Sequence, residues 1–151
     1  MNEFAERFES FTAAVSRAYK SIQRIKSGEA ERMGLKSGHV MCLYFLGKYA
    51  GGLTAAELCR LCHEDKAAVS RTLVDLSAKG YLAPAPEEAA RKYRTKLFLT
   101  ESGRGKNRQI NAAAEAAVRK ASEGISEADR ECFYRVFFTI ADRLEAFGRY
   151  G

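Results

Sequence analysis

Residues 53–82, LTAAELCRLCHEDKAAVSRTLVDLSAKGYL, constrain the fold more than any other stretch of the chain. Thr54 followed three residues later by Glu57 is a capping box, so a helix is expected over Ala55 to Cys62. Asp65 then caps a second helix from Lys66 to about Lys79, and Gly80 stops it in the position where a left-handed residue is needed. Leu58, Leu61, Val69, Leu73 and Leu76 would lock the two helices at a fixed crossing. Two short helices joined by a tight turn make a helix-turn-helix. This packing leaves Lys66, Ala67, Ala68, Ser70 and Arg71 at the front of the second helix. In such a motif these are the side chains that reach base edges and phosphates in the major groove. Small Ala67 and Ala68 permit close approach, Ser70 can donate to a phosphate, and Arg71 can grip a phosphate or a guanine edge.

The next segment supports that reading. Tyr81-Leu82 is extended, Pro84 and Pro86 exclude a helix, and residues 95–100 (TKLFLT) read as a returning strand with Leu97 and Leu99 on one side. The pair forms a β-ribbon, or wing, with a basic tip. Net charge is +6, a modest excess that points toward a polyanionic partner. Between Ala83 and Arg108 seven basic residues (Arg91, Lys92, Arg94, Lys96, Arg104, Lys106, Arg108) face three acids (Glu87, Glu88, Glu101), a balance of +4. Most of the excess therefore lies beside the helix-turn-helix, although a solvated loop would carry charge as well.

The flanks read as helices with apolar seams. Phe4, Phe8, Phe11, Val15, Ala18, Ile22 and Ile25 alternate spacings of four and three, which predicts a long amphipathic helix. A break is expected between Gly28 and Gly34. Ser37 is the expected N-cap of a helix to about Tyr49, ended by Gly51-Gly52. An alanine-rich helix follows Gly103 to about Ser122. After Gly124, Ser126 with Asp129 caps a last helix to about Phe147, with the seam Phe133, Phe137, Ile140, Leu144, Phe147.

With 151 residues, 46% of them apolar, the chain can build a core. No apolar run spans a bilayer, and MNEFAERFES lacks a secretory h-region, so a cytoplasmic protein with no membrane partner is expected. No nucleophile–base–orienter set, phosphate loop or metal cluster is in view, so neither an enzyme nor a cofactor-dependent protein is expected.

Residues 53–104 resemble the MarR family of multiple-antibiotic-resistance-type regulators. The resemblance rests on Leu53-Thr54, Glu57-Leu58, Asp65-Lys66, Val69-Ser70-Arg71, Leu76, Lys79-Gly80 and Leu99-Thr100-Glu101-Ser102-Gly103. It implies a mainly α fold with a small β-wing: a winged helix-turn-helix lobe at 36–100, an N-terminal dimerisation helix at 1–35 and C-terminal dimerisation helices at 101–151. It further implies a homodimeric transcription regulator, typically a repressor, on palindromic double-stranded DNA. Many family members release DNA on binding a small anionic or aromatic (phenolic) ligand, or on cysteine oxidation. The family's wing often carries an Asp before its arginines. Here that stretch is Glu87-Glu88-Ala89-Ala90-Arg91-Lys92-Tyr93-Arg94, so the groove-entering cation is sought among Arg91, Lys92, Arg94 and Lys96, with Arg94 first. This departure leaves open a sensing module with degenerate DNA binding.

By the same resemblance, Phe4, Phe8, Phe11, Val15, Phe133, Phe137, Ile140 and Leu144 belong to the dimer interface, with internal packing as the rival role. Arg17, His39, Tyr44 and Tyr49 would line an effector pocket, or serve as packing and surface residues. Cys59 and Cys62 lie one turn apart and read first as packing residues, second as redox thiols, and without enough partners for a structural zinc. Cys42 and Cys132 read as core.

Overall fold

The computed structural model describes residues 2–83 and 95–150. The element order is α1 (Glu3–Arg32), α2 (Ser37–Lys48), α3 (Ala55–Cys62), α4 (Lys66–Ala78), α5 (Glu101–Ala121) and α6 (Glu127–Tyr150). The chain divides into two compact units, Met1–Ala113 and Ala114–Gly151.

The core of the first unit is built by α2, α3 and α4. Leu43, Leu58, Leu76, Val69 and Cys42 are its largest fully buried side chains, and Leu61 and Leu73 pack against it half-buried. The expected leucine lock between the two short helices is therefore present. The caps behave as their sequence requires. The Thr54 hydroxyl accepts from the Glu57 N–H at 3.1 Å while the Glu57 carboxylate accepts from the Thr54 N–H at 2.8 Å. Asp65 Oδ1 accepts from the Ala68 N–H at 2.7 Å.

Two isolated antiparallel bridges, Leu53 with Leu97 and Leu82 with Leu99, tie three extended segments together at the base of the wing. The alternation expected of residues 95–100 holds: Leu99 is buried and Leu97 half-buried, with Phe98 exposed. Phe98 lies over Gly52, where φ is +85° and a Cβ would meet the ring at 2.8 Å. Thr100 joins the wing to α5. Its hydroxyl donates to the Gly80 carbonyl at 2.6 Å and accepts from the Gly103 N–H at 3.1 Å. At Gly103 an added Cβ would come within 2.2 Å of the Tyr81 carbonyl oxygen. Thr100 and Gly103 in the LTESG run are thus a cap and a close-contact glycine.

Several boundaries differ from expectation. Gly28 does not end α1, which continues to Arg32 with Ala30 buried in the core; the chain turns at Gly34, φ +70°. The contact of Ala30 outweighs the roughly 1 kcal/mol helix cost of one glycine. The N-cap of α2 is Lys36 rather than Ser37. α5 begins at Glu101, before Gly103, because Thr100 supplies the cap. α6 runs three residues past Phe147, to Tyr150. Cys132, expected in the core, is exposed, since α6 buries no residue within this chain.

Candidate nucleic-acid interface

The front of α4 is held from behind and open in front. Val69 and Leu76 are buried while Lys66, Ala67, Ser70 and Arg71 are exposed and Ala68 is half-buried. Ala67, Ser70 and Arg71 follow helical spacing and share one face. Val74, 66% exposed, extends that face. Residue type alone assigns it to the core, although its spacing of seven from Ala67 places it outside. Among the described residues no carboxylate lies within ion-pair range of Arg71.

The orientation of α4 is also fixed beside that face, one turn from Arg71, by His39. This ring is 2% exposed. Its Nδ1 accepts from the Lys36 N–H at 3.1 Å, so Nε2 carries the proton and donates to Asp75 Oδ2 at 3.2 Å. Lys36 Nζ lies 3.8 Å from the same carboxylate oxygen. A groove of about 510 Å³ runs over these residues, lined among others by Lys36, His39, Ser70, Arg71 and Asp75.

The basic stretch is partly spent within the fold. Glu101 pairs with Arg104 at 2.8 Å and with Arg108 at 3.5 Å. The Arg104 guanidinium beside Glu101 holds its carboxyl below the usual range. Lys106 Nζ donates to the Met33 carbonyl at the end of α1, 3.2 Å away. Lys96 is exposed, at the base of the wing. Arg91, Lys92 and Arg94 lie outside the described residues.

The expected effector residues are not brought to one place. His39 lines the groove beside α4. Tyr49 lines a separate recess of about 500 Å³ with Lys48, Arg60 and Lys96. Tyr44 packs edge-on against Phe45 with ring centroids 5.2 Å apart, and Arg17 is exposed on α1. On the seams, Phe4, Phe8 and Val15 of α1 and Phe133, Ile140 and Leu144 of α6 are exposed, whereas Phe11 and Phe137 are half-buried. Among the described residues no helix is long and apolar enough to cross a membrane.

Comparison with known proteins gives the fold its relatives. The MarR family model matches residues 33–92, a stretch that contains α2, α3 and α4. No curated protein sequence matches the chain. A crystal structure of a MarR family transcription regulator matches 99% of this chain and 100% of its own, with a TM-score of 0.82 and 19% identity. A Mycobacterium tuberculosis MarR family protein, solved in complex with DNA, covers 85% of this chain and 95% of its own at TM-score 0.65 and 22% identity. Staphylococcus aureus MarR, in complex with salicylate and kanamycin, covers 95% and 96% at TM-score 0.79 and 17% identity. The chain has the mainly α, winged-helix fold of the MarR-family transcription regulators, and the resemblance read from residues 53–104 is borne out.

Proposed function

We propose that the protein is a homodimeric, sequence-specific DNA-binding regulator that represses transcription from a palindromic operator. The observation that carries this reading is the exposed face of Ala67, Ser70 and Arg71 on a helix whose opposite side is locked by Val69 and Leu76, with the His39–Asp75 bond holding it beside Arg71. Lys66 and Ala68 complete the surface offered to the major groove. Arg91, Lys92, Arg94 and Lys96 are assigned to the wing's contact with the adjacent groove.

Residues 36–100 would form the DNA-binding lobe, with 1–35 and 101–151 dimerising. Support comes from the exposed apolar side chains of α1 and α6: Phe4 at 82%, Phe8 at 59%, Phe133 at 57% and Leu144 at 46%. Burying side chains of this size is worth about 1.5–3 kcal/mol each, and a second copy of the chain supplies a matching apolar surface. Two recognition helices would then enter major grooves about 34–36 Å apart.

The effector reading narrows to the groove beside α4. Lys36, Arg71 and the His39 edge suit a small anionic or aromatic ligand there, and the salicylate complex of the S. aureus relative lends support. A ligand in that groove would compete with DNA for Arg71.

Footprinting on the promoter of the protein's own gene, with sedimentation of the free protein, tests the proposal. Protection of a palindrome, weakened by added salt and by salicylate, is expected from a sedimenting dimer. A monomer, or binding without sequence preference, would overturn it.

A further inference from the structure

The outward face of α4 carries an aliphatic side chain at its centre. Val74 is 66% exposed. It is the one branched aliphatic residue of α4 that the lobe leaves uncovered: Val69 and Leu76 are buried and Leu73 is half-buried. A helix turns about 100° and rises about 1.5 Å per residue. Val74 therefore stands about 20° around the axis from Ala67 and about 10 Å further along it. Arg71 lies about 60° to one side of it and Ser70 about 40° to the other, whereas Val69 and Leu76 are turned about 140° and 160° away. Val74, Ser70 and Arg71 border the same groove.

Within the chain this valine stabilises little. It gains no burial, and a β-branched residue is a poorer helix former than alanine. Its neighbours suit a polyanion. Arg71 has no carboxylate within ion-pair range among the described residues. The carboxylate next to Val74, on Asp75, is engaged by His39 at 3.2 Å and approached by Lys36 at 3.8 Å.

An aliphatic group on a helix in the major groove has one matching partner there. Only thymine presents a methyl group; the other base-edge groups are hydrogen-bond donors and acceptors. Against a polar edge, Val74 would remove water from a donor or acceptor without replacing its hydrogen bond. Against a methyl, it buries apolar surface on both sides. The axial offset sets the place. Val74 lies about 4.5 Å beyond Arg71 along the helix, and successive bases are about 3.4 Å apart.

We propose that Val74 is a specificity-determining residue, packing on the C5-methyl of one thymine in each half-site, at the base pair next to the one that Arg71 meets. This rests on the regulator reading above and names a base which that reading leaves open. Arg71 and Val74 then read different properties of adjacent pairs, one by charge and hydrogen bonding, the other by apolar contact. Val74 neutralises no phosphate, so its contribution is independent of salt.

The test uses the full-length protein and the duplex it protects upstream of its own gene. Each thymine of the half-sites is replaced in turn, symmetrically in both, by deoxyuridine, which keeps the hydrogen-bonding edge and lacks only the methyl. At one position the parent should lose about 15-fold in affinity, about fourfold for each half-site, as expected for about one buried CH2 group in each. Val74→Ala should bind the thymine duplex more weakly by a similar factor and be indifferent to deoxyuridine at that position alone. Its salt slope should equal the parent's. With C·G in place of that T·A pair, 5-methylcytosine should recover about fourfold per half-site in the parent and nothing in Val74→Ala.

Alanine at an exposed helical position favours the helix, and circular dichroism checks that the variant folds. A parent indifferent to the methyl at every thymine, or half-sites that contain none, would overturn the assignment. A deoxyuridine effect that persists unchanged in Val74→Ala would give the methyl to another side chain and overturn it as well. Protein that protects no duplex, or binds all duplexes alike, instead overturns the regulator reading, and the Val74 contact with it.

Discussion

The side chain of Asn107 occupies the space that any side chain on Gly47 would need. A Cβ at residue 47 would lie 2.2 Å from the Asn107 carboxamide. That carboxamide is buried and bonded at both ends: Nδ2 donates to the Leu43 carbonyl at 2.9 Å, and Oδ1 accepts from Asn111 at 3.2 Å. α5 is thereby pinned to α2 by a polar group that has no other place to go.

Gly47→Ala should therefore displace Asn107 and break its bond to Leu43. Leaving a buried polar group without its partner costs about 1–3 kcal/mol, and urea denaturation should show a loss in that range. Adding Asn107→Ala should cost less than the sum of the two single changes, because both remove the same interaction. Strict additivity would mean that the two residues do not share this space.

His39 and Asp75 make a comparable link between α2 and the recognition helix. His39→Ala removes the acceptor of the Lys36 N–H and the donor to Asp75, and opens a cavity in the core. A loss of about 1–3 kcal/mol is expected by thermal or urea unfolding. Asp75→Asn keeps an oxygen facing Nε2, so it should be milder. Equal losses in the two variants would show that the carboxylate charge, rather than the acceptor, holds the ring.

The helix-turn-helix is legible in the sequence because its signals are local: Thr54, Glu57, Asp65 and Gly80 each act within one turn of where they stand. The leucines between them need only helical spacing. What sequence pattern misses depends on partners distant in the chain. Gly28 looks like a breaker until Ala30 is seen to be core. Asn107 looks like a surface polar residue until Gly47 makes room for it. Cys42 and Cys62 read as separate packing residues, since nothing in the spacing of residues 42 and 62 says that α2 and α3 bring them together. Cys132 misleads in the other direction, because an apolar stretch on α6 finds no cover within the one chain.

Glu57 makes the capping of α3 sensitive to acid. The Thr54 N–H donates to its carboxylate, which holds the Glu57 carboxyl below the usual range. A carboxylate lowered in the folded state adds stability that is complete above its unfolded value, about 4.3, and is lost as pH falls through the folded value. Glu57→Gln should be less stable than the parent at pH 7, with the difference shrinking below about pH 4.3. Thermal midpoints between pH 3 and 7 would check this, and a gap that stays constant down to pH 3 would remove the capping charge as its cause.

Arg71 and Lys96 should separate reading from grip. Arg71 shares an exposed face with Ala67 and Ser70, the face by which a recognition helix would meet base edges. Arg71→Ala should weaken binding to the footprinted site by about 1–3 kcal/mol and relax preference at one base position in each half-site. Lys96 is exposed at the base of the wing, lining the recess with Tyr49 and Arg60. Lys96→Ala should weaken all sequences alike and reduce the salt slope by about 0.9 for each phosphate it no longer neutralises, one in each half-site of the dimer. Titrations at several salt concentrations, against the operator and a scrambled duplex, distinguish the two. If Arg71→Ala weakened both duplexes equally, with the slope reduced in step, Arg71 would be a phosphate ligand and the base reading would pass to Ser70 and its neighbours.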